Sequence, residues 1–426
     1  MLTVQGLLVN KTPELKKKLT VQPECPLEDF KLAPFKVFRE NASKMVIPQY
    51  FEECESDKRP EPKTIRVTFT GSLKKELKQD VAVNSFFDTK SGGVLCLDVG
   101  FGKTVCALAI AARLGLRTMI LVHKEFLMNQ WIDRIRTFCP GSTIGIVQQD
   151  RCEIENDFVI TMIHTLSQKP FEPGKFSSIG LLIVDEAHHI GARVFSQSMF
   201  KLCPKWTLGL TATPDRKDKL GFILNWFLGP VYFEAHRDQT TDVRVQHVKL
   251  WYTNPIQIPV NRFGKMNLSE LVTNLTEDVE RNQVILDIVR AIEPTRNILI
   301  LSDRRNHCMF LAHQLGASLY MGGMKQEELR ESEKSRIIVA TFSQAHEGLD
   351  IPKLDTILLT TPHSDVRQAI GRILRETPGK IHAPLIIDFV DQIEPLRYMS
   401  YRRNTLYKNF TYVPTTEATL TGFSTS

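Results

Sequence analysis

Val94-Leu-Cys-Leu-Asp-Val-Gly100-Phe-Gly102-Lys103-Thr104 is an apolar run, a turn carrying two glycines, and a lysine–threonine pair that opens the helical stretch Lys103–Leu114. The run Gly93–Leu97 has no polar alternation, so it reads as a strand buried on both faces of a sheet. Glycines at 100 and 102 let backbone N–H groups close on phosphate oxygens, and the helix N-terminus that follows favours negative charge. In that geometry Lys103 reaches the outer phosphates of a nucleotide and the Thr104 hydroxyl ligates Mg²⁺. Leu97, Asp98, Val99, Gly100, Phe101 and Gly102 form the cradle. The strict G-x-x-x-x-G-K-[ST] spacing places glycine at 97, where this chain has leucine. A tight strand-to-helix turn with no ligand is the plainer alternative.

Strands and helices alternate on either side of this segment. Strand-like runs recur at Met119–Val122, Phe158–Met162, Leu181–Val184 and Thr207–Leu210, with a helix expected over Glu125–Phe138. The rhythm breaks over 239–280, where a strand-like VRVQHVKLWY precedes the polar, helical FGKMNLSELVTNLTEDVERN. It resumes with strands at Asn297–Leu301, Ser318–Tyr320, Arg336–Ala340, Thr356–Leu359 and Leu385–Phe389. Residues 1–70 differ, with short β-branched and aromatic runs (Leu2–Val9, Phe35–Phe38, Met45–Phe51, Thr64–Thr70) among proline and charge clusters. The expected organisation is a β-rich module over 1–70, an α/β domain over 71–238, a linker over 239–280, a second α/β domain over 281–413, and a disordered Thr/Ser-rich tail over 414–426.

A chain of 426 residues, 42% hydrophobic and 24% charged, holds enough apolar surface for two or three cores. Its net charge of +6 permits a polyanionic partner without requiring one. The eight cysteines form no C-x-x-C pair and no Cys/His cluster at zinc spacing, which points to a reducing compartment. No apolar run approaches the ~20 residues of a membrane helix. The N-terminus lacks a signal-peptide core. A soluble intracellular protein with no membrane partner is expected; composition says nothing of oligomeric state.

A second acidic feature lies downstream, in Leu182-Ile-Val-Asp185-Glu186-Ala-His188-His189. Two adjacent carboxylates closing an apolar strand are costly unless a cation or a proton relay uses them. Asp185 would hold Mg²⁺ through water and Glu186 would polarise an attacking water. A solvent-exposed acidic strand end is the alternative. In the second half, Gln368-Ala-Ile-Gly371-Arg372-Ile-Leu-Arg375 puts two arginines at i, i+3 on one helix face. Planar guanidinium forks suit the spreading charge of a phosphoryl group in flight, although a solvated basic turn would have the same spelling.

Taken in order, Gly-Phe-Gly-Lys-Thr, Asp-Glu-Ala-His and Thr211-Ala212-Thr213 resemble motifs I, II and III of superfamily 2 helicases. Ile298-Leu-Ile-Leu-Ser302-Asp303 fills the slot of motif IV, Val339 to Asp350 resembles motif V, and Gln368 to Arg375 resembles motif VI. The resemblance implies an α/β protein of two tandem RecA-like parallel-sheet domains with a small β-rich N-terminal module. It implies ATP and Mg²⁺ as ligands, with Lys103, Glu186, Arg372 and Arg375 as catalytic groups. The arginines would come from the second domain, so that closure depends on ATP. By the same resemblance Gln79 reads the adenine edge, and Gly348 and Asp350 lie near the ribose. His188, Thr211, Thr213 and Gln368 would couple the nucleotide to motion, while Lys124, Ser302 and Thr341 would touch the nucleic acid.

Val122-His-Lys124-Glu-Phe126-Leu-Met-Asn-Gln130-Trp131 and Leu210–Leu220 are similar to the XPB-type DNA helicases of transcription and repair, in which 239–280 would hold a thumb-like insert. The Arg-Glu-Asp motif of that type is not seen. LDTILLTTPHSDVRQAIGRILRE and PLIIDFVD resemble the compact versions carried by large cytoplasmic DNA viruses, relatives of the poxvirus transcript-release helicase. The resemblance therefore implies an ATP-dependent DNA helicase or translocase, 3′→5′, serving viral transcription. It would work with transcription machinery in the host cytoplasm or virion. An RNA-unwinding ATPase and an ATP-gated scaffold that binds nucleic acid without turnover stand as alternatives. Finally, Arg397-Tyr398-Met-Ser-Tyr401-Arg402-Arg403 with Tyr407-Lys408 reads two ways. It is either a strand grip built from stacking and phosphate contacts, or a helix that packs through a stripe of Leu396, Tyr398, Leu406 and Tyr407.

Overall fold

The computed structural model describes residues 1–24, 33–54, 56–98, 100–187, 192–212, 219–235, 242–262, 264–347, 349, 351–374, 380–408 and 410–422. Near the N-terminus the short β-branched runs form β1 (Leu2–Thr3), β2 (Gly6–Asn10), β3 (Thr20–Val21), β4 (Phe35–Lys36), β5 (Arg39–Glu40) and β6 (Lys44–Ile47), with helix α1 (Pro13–Lys18) capped by the Thr12 hydroxyl. They pair antiparallel in the order β1-β2-β6-β5, with β3 on β4 alone. The expected strand over Thr64–Thr70 is instead an extended stretch whose Ile65 and Thr70 N–H groups donate to the Gly115 and Phe138 carbonyls, with a single bridge from Thr64 to Leu116.

The first large sheet comprises β7 (Gly92–Leu97), β8 (Thr118–Val122), β9 (Ile144–Gln148), β10 (Arg151–Cys152), β11 (Phe158–Met162), β12 (Leu181–Val184), β13 (Trp206–Thr211) and β14 (Val231–Ala235). Its order is β10-β9-β11-β8-β12-β13-β7-β14, parallel except for the β9–β10 hairpin. Helices α2 (Gln79–Phe87), α3 (Lys103–Leu114), α4 (Glu125–Phe138), α5 (Ile163–Gln168), α6 (Ala192–Met199) and α7 (Phe222–Leu228) connect the strands. Alternate strand residues serve two cores. Leu95, Leu97, Ile120, Val122, Leu181 and Ile183 pack against α2, α3 and α4. Val94, Met119, Leu121, Leu182 and Val184 face α5, α6, α7 and the N-terminal strands. The unbroken apolar runs follow from burial on both faces, where each such side chain contributes about 1.5–3 kcal/mol. The N-terminal strands thus belong to the first body, and Tyr50 fastens them by donating to the Ser91 carbonyl at 2.7 Å.

The second sheet is parallel throughout. Its strands are β15 (Arg244–Tyr252), β16 (Ile298–Ser302), β17 (Ser318–Tyr320), β18 (Ile337–Thr341), β19 (Thr356–Leu359), β20 (Leu385–Asp391), β21 (Thr411–Tyr412) and β22 (Thr416–Leu420). The order is β17-β18-β16-β19-β20-β15-β21, with β22 also on β15. Helices α8 (Leu268–Glu277), α9 (Val279–Ala291), α10 (Arg305–Leu315), α11 (Gln326–Ser332), α12 (Phe342–Glu347), α13 (Arg367–Ile373) and α14 (Glu394–Tyr407) complete it. Two expectations change here. The strand-like VRVQHVKLWY lies inside this sheet rather than in a linker, because Arg244 to Leu250 pair with β20 and Val248 to Tyr252 with β22. The tail expected to be disordered supplies β22, where Glu417 and Thr419 are exposed and Leu420 is buried against the sheet. The chain divides into two compact units, Met1–Arg237 and Asp238–Ser426.

Two buried ion pairs hold helices to β20. The Arg281 guanidinium donates to Asp391 at 2.8 and 3.0 Å and to the Thr360 carbonyl at 2.6 Å, with Tyr252 donating to the same carboxylate. Arg403 of α14 donates to Asp388 at 2.9 Å, and Tyr407 donates to the same oxygen at 3.1 Å. Among the described residues no helix is long and apolar enough to cross a membrane.

Candidate functional site

The chain leaves β7 at Leu97, whose side chain is still in the core and whose backbone pairs with Ala235. Leucine at 97 is therefore the last residue of the strand, and the turn proper begins after it. Gly100 and Gly102 adopt φ of 89° and 81°, in the left-handed region that glycine tolerates. A Cβ on Gly102 would also stand 2.5 Å from the Gln79 amide nitrogen and would displace it. Lys103 is the first residue of α3, and its ammonium donates to the Leu97 carbonyl at 3.0 Å. Half-buried Thr104 follows it, Phe101 is buried and Asp98 is half-buried; Val99 lies outside the described residues.

Gln79, the first residue of α2, is buried beneath this loop. Its side-chain oxygen accepts from the Lys74 N–H at 2.8 Å, and its nitrogen donates to the Phe101 carbonyl at 2.6 Å. Sequence reasoning reached this residue only through the base; the structure adds a grip on the phosphate loop itself.

β12, β13 and β7 run parallel side by side, so the ends of β12 and β13 open on the same edge as the loop, where α/β sheets bind ligands. Asp185 follows β12 and is 8% exposed. The Trp131 indole of α4 donates to one of its oxygens at 2.8 Å, and the Glu186 N–H to the other at 3.0 Å. Burial, and then the neighbouring Glu186, push the Asp185 carboxyl up to about 6, while Trp131 and Lys103 pull it down. Glu186 holds φ at 46°, a left-handed conformation that costs a non-glycine residue about 1 kcal/mol or more. Strain of this kind persists where the surroundings over-determine it. The donor set fits a divalent cation: Asp185 is a desolvated carboxylate beside a second one, Glu186, on the sheet edge that also carries the loop, and Thr104 is the second residue of the helix that follows that loop. Thr211 closes β13, buried opposite Cys96. His188 and Thr213 lie outside the described residues.

In the second unit, Thr341 ends β18 and is half-buried, its hydroxyl 3.1 Å from that of Ser343. α13 carries Gln368 and Arg372, both half-buried, and the Arg372 Nε donates to the Ala345 carbonyl at 2.9 Å. Arg375, Gly348 and Asp350 lie outside the described residues. Ser302 requires a correction. Expected to touch nucleic acid, it is fully buried, with its hydroxyl accepting from the Arg304 N–H and bonded to His307 at 2.9 Å. His307 in turn meets Asn282 at 2.9 Å, and burial holds its ring neutral, down to about 3. The motif slot located the strand end correctly, but that serine braces α9 and α10. Lys124 sits at the start of α4, half-buried, and burial pulls its ammonium below the usual lysine range. Trp131 is the residue that sequence reasoning passed over. A buried indole needs an acceptor, and that requirement was the available signal.

The family described as type III restriction enzyme, res subunit, matches residues 35–216. Protein L396 of Acanthamoeba polyphaga mimivirus, named as a candidate ATP-dependent RNA helicase, is 32% identical over 447 residues, covering 96% of this chain and 85% of its own. Protein 161L of Invertebrate iridescent virus 6, named as a candidate helicase, is 27% identical over 338 residues, covering 72% of this chain and 74% of its own. Among solved structures, S. cerevisiae Dbp5 bound to RNA and ADP BeF3 shares the fold, with a TM-score of 0.55 at 13% identity over 82% of this chain and 94% of that one. A loop closed by two left-handed glycines, a carboxylate pair on the same sheet edge, and a viral relative matched over nearly the whole length lead to one family: the chain belongs to the superfamily 2 helicases, enzymes driven by ATP, in the group carried by large DNA viruses.

Proposed function

We propose that this helicase couples ATP hydrolysis to 3′→5′ movement along DNA, in the service of viral transcription within the host cytoplasm or virion. The observation that carries the reading is the grouping, on one sheet edge, of the glycine-bearing loop, Lys103, Asp185 and Glu186. Backbone N–H groups at the start of α3 hold the phosphates, and Lys103 exchanges the Leu97 carbonyl for phosphate oxygen. Thr104 and Asp185 would hold Mg²⁺, which when bound neutralises charge on the phosphate oxygens. Glu186 orients and deprotonates the attacking water. Arg372 and Arg375 serve hydrolysis by meeting the charge of the transferring phosphoryl group. Gln79 serves the adenine as well as the loop, and Gly348 and Asp350 serve the ribose. His188, Thr211, Thr213 and Gln368 relay nucleotide state, while Lys124 and Thr341 take strand phosphates. A domain limit near residue 238 goes with this assignment.

The mimivirus relative's name favours a second reading, in which the strand is RNA. ATPase rates with single-stranded DNA, duplex DNA and RNA side by side separate the two, and displacement from 3′- and 5′-tailed duplexes gives the direction. The DNA reading predicts stimulation by DNA above RNA. Stimulation by RNA alone overturns it in favour of the second reading, and no stimulation by any strand overturns both.

A further inference from the structure

α14 divides its residues cleanly between two faces. Leu396, Ser400, Arg403 and Tyr407, at spacings of four, three and four, are buried on the sheet. Arg403 is committed to Asp388 and the His363 carbonyl, so it is structural. Tyr398 does not join the packing stripe expected for it: it is 64% exposed, and Tyr401 is 75% exposed. Arg397, Arg402, Thr405 and Lys408 are exposed on the same arc. The Arg402 guanidinium lies 5.1 Å from the centre of the Tyr398 ring, which holds both outward in a fixed relation. Glu394, paired with Arg397 at 3.4 Å, is the only carboxylate among the outward residues of this helix.

We propose that this outward face of α14 grips a single strand of nucleic acid, Tyr398 and Tyr401 stacking on successive bases and Arg397, Arg402 and Lys408 meeting the phosphates. The inference rests on the helicase reading above and adds a contact that none of the helicase motifs contains. Two exposed phenol rings three residues apart are offset by about 4.5 Å along a helix axis. That offset is comparable with the ~3.4 Å rise per nucleotide of a stacked strand. Stacking accepts any base, as a motor that moves through sequence requires. A helix that docks in a protein groove presents an apolar face with anchors at i, i+3, i+4 and i+7. This face has no such stripe: its exposed rings are tyrosines and, Glu394 and Thr405 apart, the rest is cationic, which complements a polyanion with flat bases.

The test uses the full chain without nucleotide, and a fluorescent oligothymidine of about 16 nucleotides, a length within known single-strand site sizes. Tyr398→Ala with Tyr401→Ala should raise Kd at least about 30-fold with little change in salt dependence, since stacking rather than charge is lost. Tyr398→Phe with Tyr401→Phe should restore affinity. Arg397→Gln with Arg402→Gln should weaken binding and flatten the log–log salt slope by about 1.4, at ~0.7 per phosphate contact on a single strand. ATPase without nucleic acid, and thermal unfolding, should stay at wild-type values in all three, because these side chains are exposed. Wild-type affinity and slope in the alanine and glutamine variants overturn the proposal while leaving the helicase reading intact. Loss of self-association in those variants, with strand affinity unchanged, would assign the face to a second copy of the chain instead. A wild-type protein that binds no strand at all overturns both readings together.

Discussion

Replacing Asp185 by asparagine should make the nucleotide-free protein more stable while abolishing its ATPase. Asp185 is desolvated, and its carboxyl is raised from an ordinary 3.8 to about 6, first by burial and then by Glu186. A carboxyl that holds its proton more tightly when folded contributes stability that is complete below about pH 4 and lost as pH rises through about 6. Ionising it in place therefore costs the first unit about 3 kcal/mol near neutrality, and about half of that at pH 5. Asparagine keeps the shape and stays neutral. Its carbonyl can still accept the Trp131 N–H, but its amide then faces the Glu186 N–H and that bond is lost, at about 1 kcal/mol. The net gain above about pH 7 is about 2 kcal/mol, or roughly 4–8 °C in Tm for a body of this size. The advantage should shrink through about pH 5 and reverse near pH 4, where the aspartate is protonated and only the lost bond counts. Calorimetry of both proteins with chelator present, from about pH 4 to 8, reads the difference directly. An Asp185→Asn protein that melts below wild type at neutral pH, or a gap that does not vary with pH, refutes the argument from desolvation.

Lys103→Ala should reduce ATP turnover by at least ~10²-fold while nucleotide-free strand binding persists, as steady-state rates and anisotropy will show. Arg372→Ala should leave nucleotide affinity within about tenfold. Its hydrolysis and stimulation by nucleic acid should fall about 10³-fold, a split visible when equilibrium binding and ATPase are measured together. Arg281→Ala leaves the Asp391 carboxylate buried without its cation and should destabilise the second unit by about 3–5 kcal/mol in denaturant unfolding. Pairing Arg281→Met with Asp391→Leu should recover most of that loss.

The nucleotide loop was legible because its information is local. An apolar run, two glycines and Lys-Thr determine a strand, a turn and a helix within a dozen residues, and α3 and α4 take the bounds read from the sequence, Lys103–Leu114 and Glu125–Phe138. What escaped reading depends on partners far away in the chain. VRVQHVKLWY is recognisably a strand, but nothing in its spelling says that it pairs with residues 385–391. The Thr-rich stretch TEATL reads as polar tail when only hydropathy is weighed, although threonine's branched Cβ suits an edge strand. Ser302 was assigned by its place in a series of motifs, and order along a chain carries no statement about which way a hydroxyl points. Trp131 and Asp185 are fifty-four positions apart, so their bond exists only once α4 lies over the sheet.

The placement of β15 sets a timetable for synthesis. The first unit, Met1–Arg237, has all its strands before β15 leaves the ribosome. β15 then has neither neighbour: Arg244 waits for Leu385, and Val248 waits for Thr416. At about 5–20 residues per second, that interval lasts on the order of ten to thirty seconds. Throughout it, a nine-residue strand with two open edges, Arg244–Tyr252, is held out for pairing with any other nascent chain. The same arrangement makes Thr416–Leu420 the piece that shuts the second unit, so a stop codon shortly before Thr416 would leave a permanent open edge beside Trp251 rather than trim a dispensable end.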